Sequence, residues 1–172
     1  MDAEKFTKKS LEVIESCEKL AYEYNNQELT QAHLMYALVT VEDSLVAKLL
    51  TNMGINMEAF KGECEKLVAN RPKVSGGQLF TSPEFSKALI QAEKEAKQMG
   101  DDYISVEHIF LGLLEKADKD IKRVINAYGI TRGKFLEVLA NIRGNRKVES
   151  DNPEDTYDAL NKYGYNLVER AR

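Results

Sequence analysis

The sequence repeats itself at a constant offset of 75 residues. Residues 30–38 return as residues 105–113, and His33 of the first copy corresponds to His108 of the second. No gap is needed between about residues 7–67 and residues 82–142. A long run of matches in one register is typical of two copies of one structural unit. The chain is therefore expected to fold as a tandem repeat.

Each copy has the pattern of four helices, because apolar residues recur at helical spacing between residues that begin or end helices. Predicted N-caps and glycine stops occupy matching places in the two copies: Thr30, Gly54 and Asn56 in the first, Ser105, Gly129 and Thr131 in the second. No segment alternates with period two, so no sheet is expected. The predicted fold is all-α, with eight helices in two pseudo-symmetric four-helix repeats.

The repeats predict a domain over residues 1–142, with repeat one at 4–70 and repeat two at 81–142. Residues 143–155 are polar and are predicted to form a linker with few buried contacts, which proteases cut first. Residues 156–172 are predicted to form a C-terminal helix, the truncated start of a further module. Its thin apolar stripe consists of Tyr157, Leu160, Tyr163 and Leu167.

Composition excludes several classes of function. The net charge of −4 provides no basic surface for nucleic acid. The apolar runs are far shorter than the roughly 20 residues that span a bilayer, and the charged N-terminus does not resemble a secretory signal. Cys17 and Cys64 are isolated, which fits a reducing compartment. A cytoplasmic protein that binds neither nucleic acid nor membrane is expected.

The sequence contains no motif that predicts catalysis. Gly133-Lys134 lacks the spacing of a phosphate-binding loop. His33 and His108 each fall at the third helical position, which favours a hydrogen bond to the helix start or a loop over metal binding. A small enzyme with a Cys17 or Cys64 nucleophile is the alternative from another class of function. No catalytic residue, metal or cofactor is expected in this chain.

Two apolar residues remain outside the predicted core. Leu11 lies about 100° from the apolar stripe of the first helix, and Ile90 lies similarly off the stripe of the fifth. Two interpretations are open. This face packs one repeat on the other, or it lines a groove between the repeats that accepts an extended apolar peptide.

The doubled unit resembles the Clp N-terminal repeat domain of AAA+ unfoldases and disaggregases over about residues 4–142. The motifs that carry the resemblance are Thr/Ser-x-x-His-Leu/Ile on the second helix of each copy and Gly-Ile after the third. Residues 143–145 and 150–167 are similar to the segment that precedes the first ATPase module of ClpB-type chaperones. The resemblance implies a domain that captures exposed hydrophobic segments of unfolded or aggregated proteins. It also implies ATP, Mg²⁺, AAA+ modules and a hexamer in the full-length protein, and a monomer for this fragment.

By position, the resemblance also implies that Thr7, Asp101 and Glu107 engage substrate, beside the apolar candidates Leu11 and Ile90. Each of the three has a structural alternative: a helix cap, a loop acid and a first-turn acid, respectively. ClpC-type domains carry Glu before both repeat histidines, whereas this chain has Ala32 in the first copy. That difference favours the ClpB type. Adaptor docking for a ClpC- or ClpA-type protease partner is the alternative function.

Overall fold

A computed structural model describes residues 2–144 and 146–153. A short 3₁₀ helix, Ala3–Lys5, precedes the repeats. The helices of repeat one are α1 (Lys8–Glu23), α2 (Gln31–Thr40), α3 (Leu45–Asn52) and α4 (Met57–Ala69). Those of repeat two are α5 (Pro83–Gln98), α6 (Val106–Glu115), α7 (Lys119–Ala127) and α8 (Arg132–Arg143). The all-α prediction and the four-helix repeat are confirmed over the described residues.

Local signals set the helix ends where the sequence predicted them. The Asn56 side chain accepts a hydrogen bond from the N–H of Ala59 at the start of α4, and Thr131 does the same for Lys134 in α8. Gly54 and Gly129 follow α3 and α7 with φ of 87° and 66°. Because a side chain is strained at such angles, glycine ends the third helix of each repeat.

The expectation of no sheet is wrong in a small way. Strands β1 (Glu28–Leu29) and β2 (Phe80–Thr81) form a parallel pair, and Phe6 forms a parallel bridge with Ile104. Strands of two residues are too short to show an alternating pattern, so periodicity could not predict them.

These pairings cross between the repeats. Phe6 and Ile104 are the counterparts of Thr81 and Leu29 at the 75-residue offset. The segment that leads into the first helix of each repeat therefore pairs with the segment that leads into the second helix of the other repeat. This exchange of strands ties the two repeats together with pseudo-twofold symmetry.

One hydrophobic core runs through both repeats. Helix α3 packs on α8 and α4 packs on α7, which are equivalent contacts under the repeat symmetry. The α4–α7 contact includes an edge-to-face pair of Phe60 and Tyr128, whose ring centroids lie 5.2 Å apart. None of the described helices is long and apolar enough to cross a bilayer.

Residues 146–153 contact both repeats although most of them are exposed. Val148 is fully buried, its carbonyl accepts from the N–H of Asp102 in repeat two, and the backbone N–H of Lys8 in repeat one donates to the carbonyl of Asp151, both at 2.8 Å. The linker itself stays a prediction. The predicted C-terminal helix at 156–172, with Tyr157, Leu160, Tyr163 and Leu167, lies outside the described residues. The domain boundaries themselves stay predictions.

Candidate functional site

The two apolar candidates lie on exposed helix faces. Leu11 of α1 is 38% exposed and Ile90 of α5 is 50% exposed, while Val13 and Ala88 on the same helices are completely buried. Neither candidate belongs to the core or to the apolar residues that pack against it. The structure thus contradicts the interpretation in which these two side chains are buried between the repeats, and it leaves them available to a ligand.

Thr7 caps α1. Its hydroxyl oxygen accepts a hydrogen bond from the N–H of Ser10 and donates to the Ser10 hydroxyl, at 3.2 and 3.0 Å. The N–H of Thr7 also donates to the carbonyl of Ile104 at 3.0 Å. The side chain is fully buried. Thr7 therefore fixes the first helix of repeat one to the loop before α6 of repeat two.

Asp101 is the centre of a buried polar cluster. One carboxylate oxygen lies 2.7 Å from Nε2 of His108. The other accepts hydrogen bonds from the Arg143 guanidinium and, at 3.0 Å, from the backbone N–H of Val148. Burial alone would raise the pKa of Asp101, but the hydrogen bonds from His108, Arg143 and Val148 together lower it to about 2. The carboxylate is therefore ionised throughout the physiological range.

Glu107 shares Arg143 with Asp101. Its side chain is fully buried, and one oxygen lies 3.7 Å from Nη1 of Arg143. Neither carboxylate oxygen has a hydrogen-bond partner among the described residues. Arg143, at the end of α8, thus compensates two buried acids at once.

The structure brings three of the five predicted site residues together. Thr7 contacts the loop 101–104 at Ile104, and Arg143 joins Glu107 to Asp101 in the same loop. Leu11 and Ile90 lie on exposed faces of α1 and α5. Since all three polar residues are buried, direct contact with a ligand requires movement of the residues that cover them. Their role in substrate engagement stays a prediction.

The two repeat histidines close equivalent capping boxes, as predicted. The N–H of Thr30 donates to Nδ1 of His33 at 3.0 Å, and the N–H of Ser105 donates to Nδ1 of His108 at 2.9 Å. In each ring Nδ1 accepts, so Nε2 carries the hydrogen. In the first repeat this hydrogen points to Oδ1 of Asn26 at 2.8 Å, where the second repeat has Asp101. The histidines therefore position the loop before each second helix.

The environment of His33 predicts acid sensitivity. Burial, with a smaller effect of the Arg71 charge, lowers the pKa of His33 from 6.5 to about 4. Between pH 6.5 and pH 4 the imidazole of His33 is protonated in the unfolded chain and neutral in the folded one. The free energy of unfolding therefore falls as the pH falls. We expect the wild type to lose about 2 kcal/mol more between pH 7 and pH 5 than a His33→Gln variant, since glutamine also serves at this capping position. Urea unfolding at both pH values measures the difference, and equal losses would contradict the neutral buried imidazole.

The alternative enzyme is not supported. Cys17 and Cys64 are both buried and free. Burial raises the pKa of Cys64 to about 12 and that of Cys17 further, which disfavours the reactive thiolate. Within residues 2–144 and 146–153, no group of three or more His, Cys, Asp or Glu residues is arranged to hold a metal ion.

Sequence reasoning did not identify Arg143, Val148 or Gln31. The first two meet at Asp101, as described above. Gln31 begins α2 and joins the repeats: its Nε2 donates to the carbonyls of Glu84 and Lys116 at 2.9 and 2.8 Å, and its Oε1 accepts from the N–H of Asp118 at 2.8 Å. The one signal for Gln31 in the sequence is that a polar side chain occupies a helix position where a buried residue is expected. Its counterpart at the 75-residue offset is the apolar Val106.

Comparison with known proteins identifies relatives of the whole chain. The sequence is 43% identical to the chaperone protein ClpB of Nitratidesulfovibrio vulgaris and 40% identical to that of Clostridium tetani, in both cases over 100% of this chain. It covers 21% and 20% of those proteins, so the chain spans about a fifth of the length of these relatives.

Solved structures share the fold. The N-terminal domain of Hsp104 from Candida albicans matches with a TM-score of 0.77 and 20% identity, covering 87% of this chain and 99% of that one. The ClpV N-domain in complex with a VipB peptide matches with a TM-score of 0.65 and 18% identity, covering 83% and 89%. The profile of the family described as Clp repeat (R) N-terminal domain matches residues 5–128. The chain therefore belongs to the Clp repeat N-terminal domain family.

Proposed function

We propose that this chain is the substrate-capturing N-terminal domain of an ATP-dependent protein disaggregase. Its ligands are the exposed hydrophobic segments of unfolded or aggregated proteins. In the full-length protein, AAA+ modules of the same chain supply ATP and Mg²⁺ chemistry in a hexamer, and this domain holds the client. The ClpB relatives over the whole chain support this function over adaptor docking for a protease partner.

The observation that carries the proposal is the exposure of Leu11 and Ile90. Both are large aliphatic side chains, and the other aliphatic side chains of α1 and α5 are buried in the core or packed against it. Burying such a side chain against a ligand yields about 1.5–3 kcal/mol when complete. Two half-exposed side chains therefore support weak binding, which suits a domain that must release its client. Among the structural relatives, the ClpV N-domain was solved with a bound peptide.

A titration tests the proposal. The double variant Leu11→Ser, Ile90→Ser is expected to bind a fluorescently labelled, reduced and alkylated protein about tenfold more weakly, a change of about 1.4 kcal/mol. Affinity for the wild type should change little with added salt, because burial of apolar surface is not screened as charge is. Fluorescence anisotropy measures both effects.

The matched control is Tyr22→Ser, which removes another exposed apolar side chain of α1, 68% exposed. Circular dichroism confirms that each variant is folded. Unchanged affinity in the folded double variant, or an equal loss in Tyr22→Ser, would show that Leu11 and Ile90 form no specific binding face.

A further inference from the structure

We propose that the loop 101–103 is a binding site for an extended polypeptide segment, and that residues 146–153 occupy it in this chain as a docked strap. An extended client segment with one aliphatic side chain would take the place of the strap. Binding of a client at this loop rests on the proposed function. Docking of residues 146–153 there is inferred from their own contacts with the loop.

The loop recognises the backbone of the strap. The carbonyl of Val148 accepts hydrogen bonds from the N–H groups of Asp102 and Tyr103, at 2.8 and 3.3 Å. The N–H of Val148 donates to Oδ1 of Asp101 at 3.0 Å. Both polar groups of one residue are thus bound, as in the pairing of an extended peptide with a strand edge. These contacts do not depend on the side chain and would serve any extended segment.

The strap also buries one aliphatic side chain near its centre. Val148 is fully buried, while its neighbours Arg146, Lys147, Glu149 and Ser150 are exposed. The strap therefore buries one aliphatic residue at its centre and Pro153 at its end, and its other residues are exposed. This pattern of main-chain affinity with one side-chain pocket defines the chemical class of the ligand, an extended segment centred on a small aliphatic residue.

Asp101 has two side-chain partners outside the strap. His108 of α6 and Arg143 of α8 hold its carboxylate from two helices of the repeat. When the strap leaves, Oδ1 of Asp101 loses the N–H of Val148, and Arg143 loses the carbonyl of Arg146, to which its Nε donates at 3.0 Å. His108 and the guanidinium of Arg143 remain as partners of the Asp101 carboxylate. The acceptor and the two N–H donors of Asp102 and Tyr103 remain available to another segment.

The equivalent loop of the first repeat also binds an extended segment, but through other groups. Nδ2 of Asn26, the counterpart of Asp101, donates to the carbonyl of Pro72 at 3.1 Å, and the N–H of Val74 donates to the carbonyl of Asn25 at 2.8 Å. That segment continues into β2 and α5, so it cannot leave without disturbing both. In the second repeat, helices α1–α8 all precede the strap. The equivalent loop therefore binds an extended segment in both repeats, and displacing the strap would interrupt none of helices α1–α8.

The test uses the strap itself as the probe. A labelled peptide of residues 146–153 is titrated against the wild-type chain and against Val148→Asp, which places a charge in the pocket and releases the internal strap. We expect the peptide to bind the variant at least tenfold more tightly than the wild type. The same peptide with Val148→Asp is the matched control and should not bind.

Hydrogen exchange gives a second measurement of the site. The amides of Asp102 and Tyr103 should exchange faster in Val148→Asp than in the wild type and become protected again when the peptide is added. Equal peptide affinity for both proteins, or exchange at these amides that is unchanged by the variant, would overturn the docked strap.

Competition separates this inference from the proposed function. Displacement of the bound peptide by the reduced and alkylated client supports a shared site. If the client binds through Leu11 and Ile90 but does not displace the peptide, it does not bind at loop 101–103. That part of the inference is then overturned, and the proposed function is unaffected. If the client binds neither the wild type nor any variant while the peptide binds as expected, the proposed function and client binding at this loop are both overturned.

Discussion

Replacing Gly112 with alanine is expected to destabilise the domain by about 2–3 kcal/mol, near the upper end of the usual range for overpacking. Gly112 lies in α6 where this helix crosses α5. A Cβ atom there would meet the carbonyl oxygen of Ala88 at 2.3 Å and the backbone nitrogen of Ala92 at 3.0 Å. Both obstacles are backbone atoms, so no side chain can rotate away. The two helices must separate, and the core of repeat two loses contact around them.

Gly62 supplies the matched control for this substitution. It also lies inside a helix, α4, but a Cβ at that position would meet nothing within 4 Å. We expect Gly62→Ala to stabilise the domain by about 0.5–1 kcal/mol, because alanine loses less backbone entropy in a helix. Urea unfolding of both variants, with unchanged m-values, measures the two effects. Shifts of the same sign and size would show that the α5–α6 crossing is not closely packed at Gly112.

Much of this fold could be predicted because its signals are local and occur twice. A capping residue, a periodic helix and a terminal glycine need only a few neighbouring positions, and the 75-residue register repeats each of them. The crossing of strands between repeats could not be predicted in this way. Pairing of Phe6 with Ile104 depends on how the repeats meet, and two-residue strands leave no periodic pattern.

The candidate site was predicted less completely, for a reason that Asp101 illustrates. The resemblance implied that Asp101 engages substrate, with a loop acid as the structural alternative, but the structure buries it between His108, Arg143 and Val148. These partners come from α6, α8 and the strap, and no local pattern connects them. Helical periodicity placed Leu11 and Ile90 off the core stripe but left open whether they pack between the repeats. Their exposure is seen only in the structure. The polar partners of Asp101 could not be predicted, because they come together only in the tertiary structure.

Gln31 shows the same limit at the interface between the repeats. It sits where repeat one meets the start of α5 and the turn between α6 and α7, and it is fully buried. Helical periodicity marks its position but gives no reason for an amide there. The reason lies in the three backbone groups that its side chain satisfies, which belong to distant parts of repeat two.

Replacing Gln31 with methionine is therefore expected to destabilise the domain by about 2–4 kcal/mol. Methionine has a similar length but forms none of the three hydrogen bonds, so the carbonyls of Glu84 and Lys116 and the N–H of Asp118 are left without this partner. The matched control is Gln98→Met at the exposed end of α5, which should change stability by less than about 0.5 kcal/mol. Urea unfolding measures both variants. A small effect at Gln31, equal to that at Gln98, would mean that packing and the crossed strands hold the repeats together without this side chain.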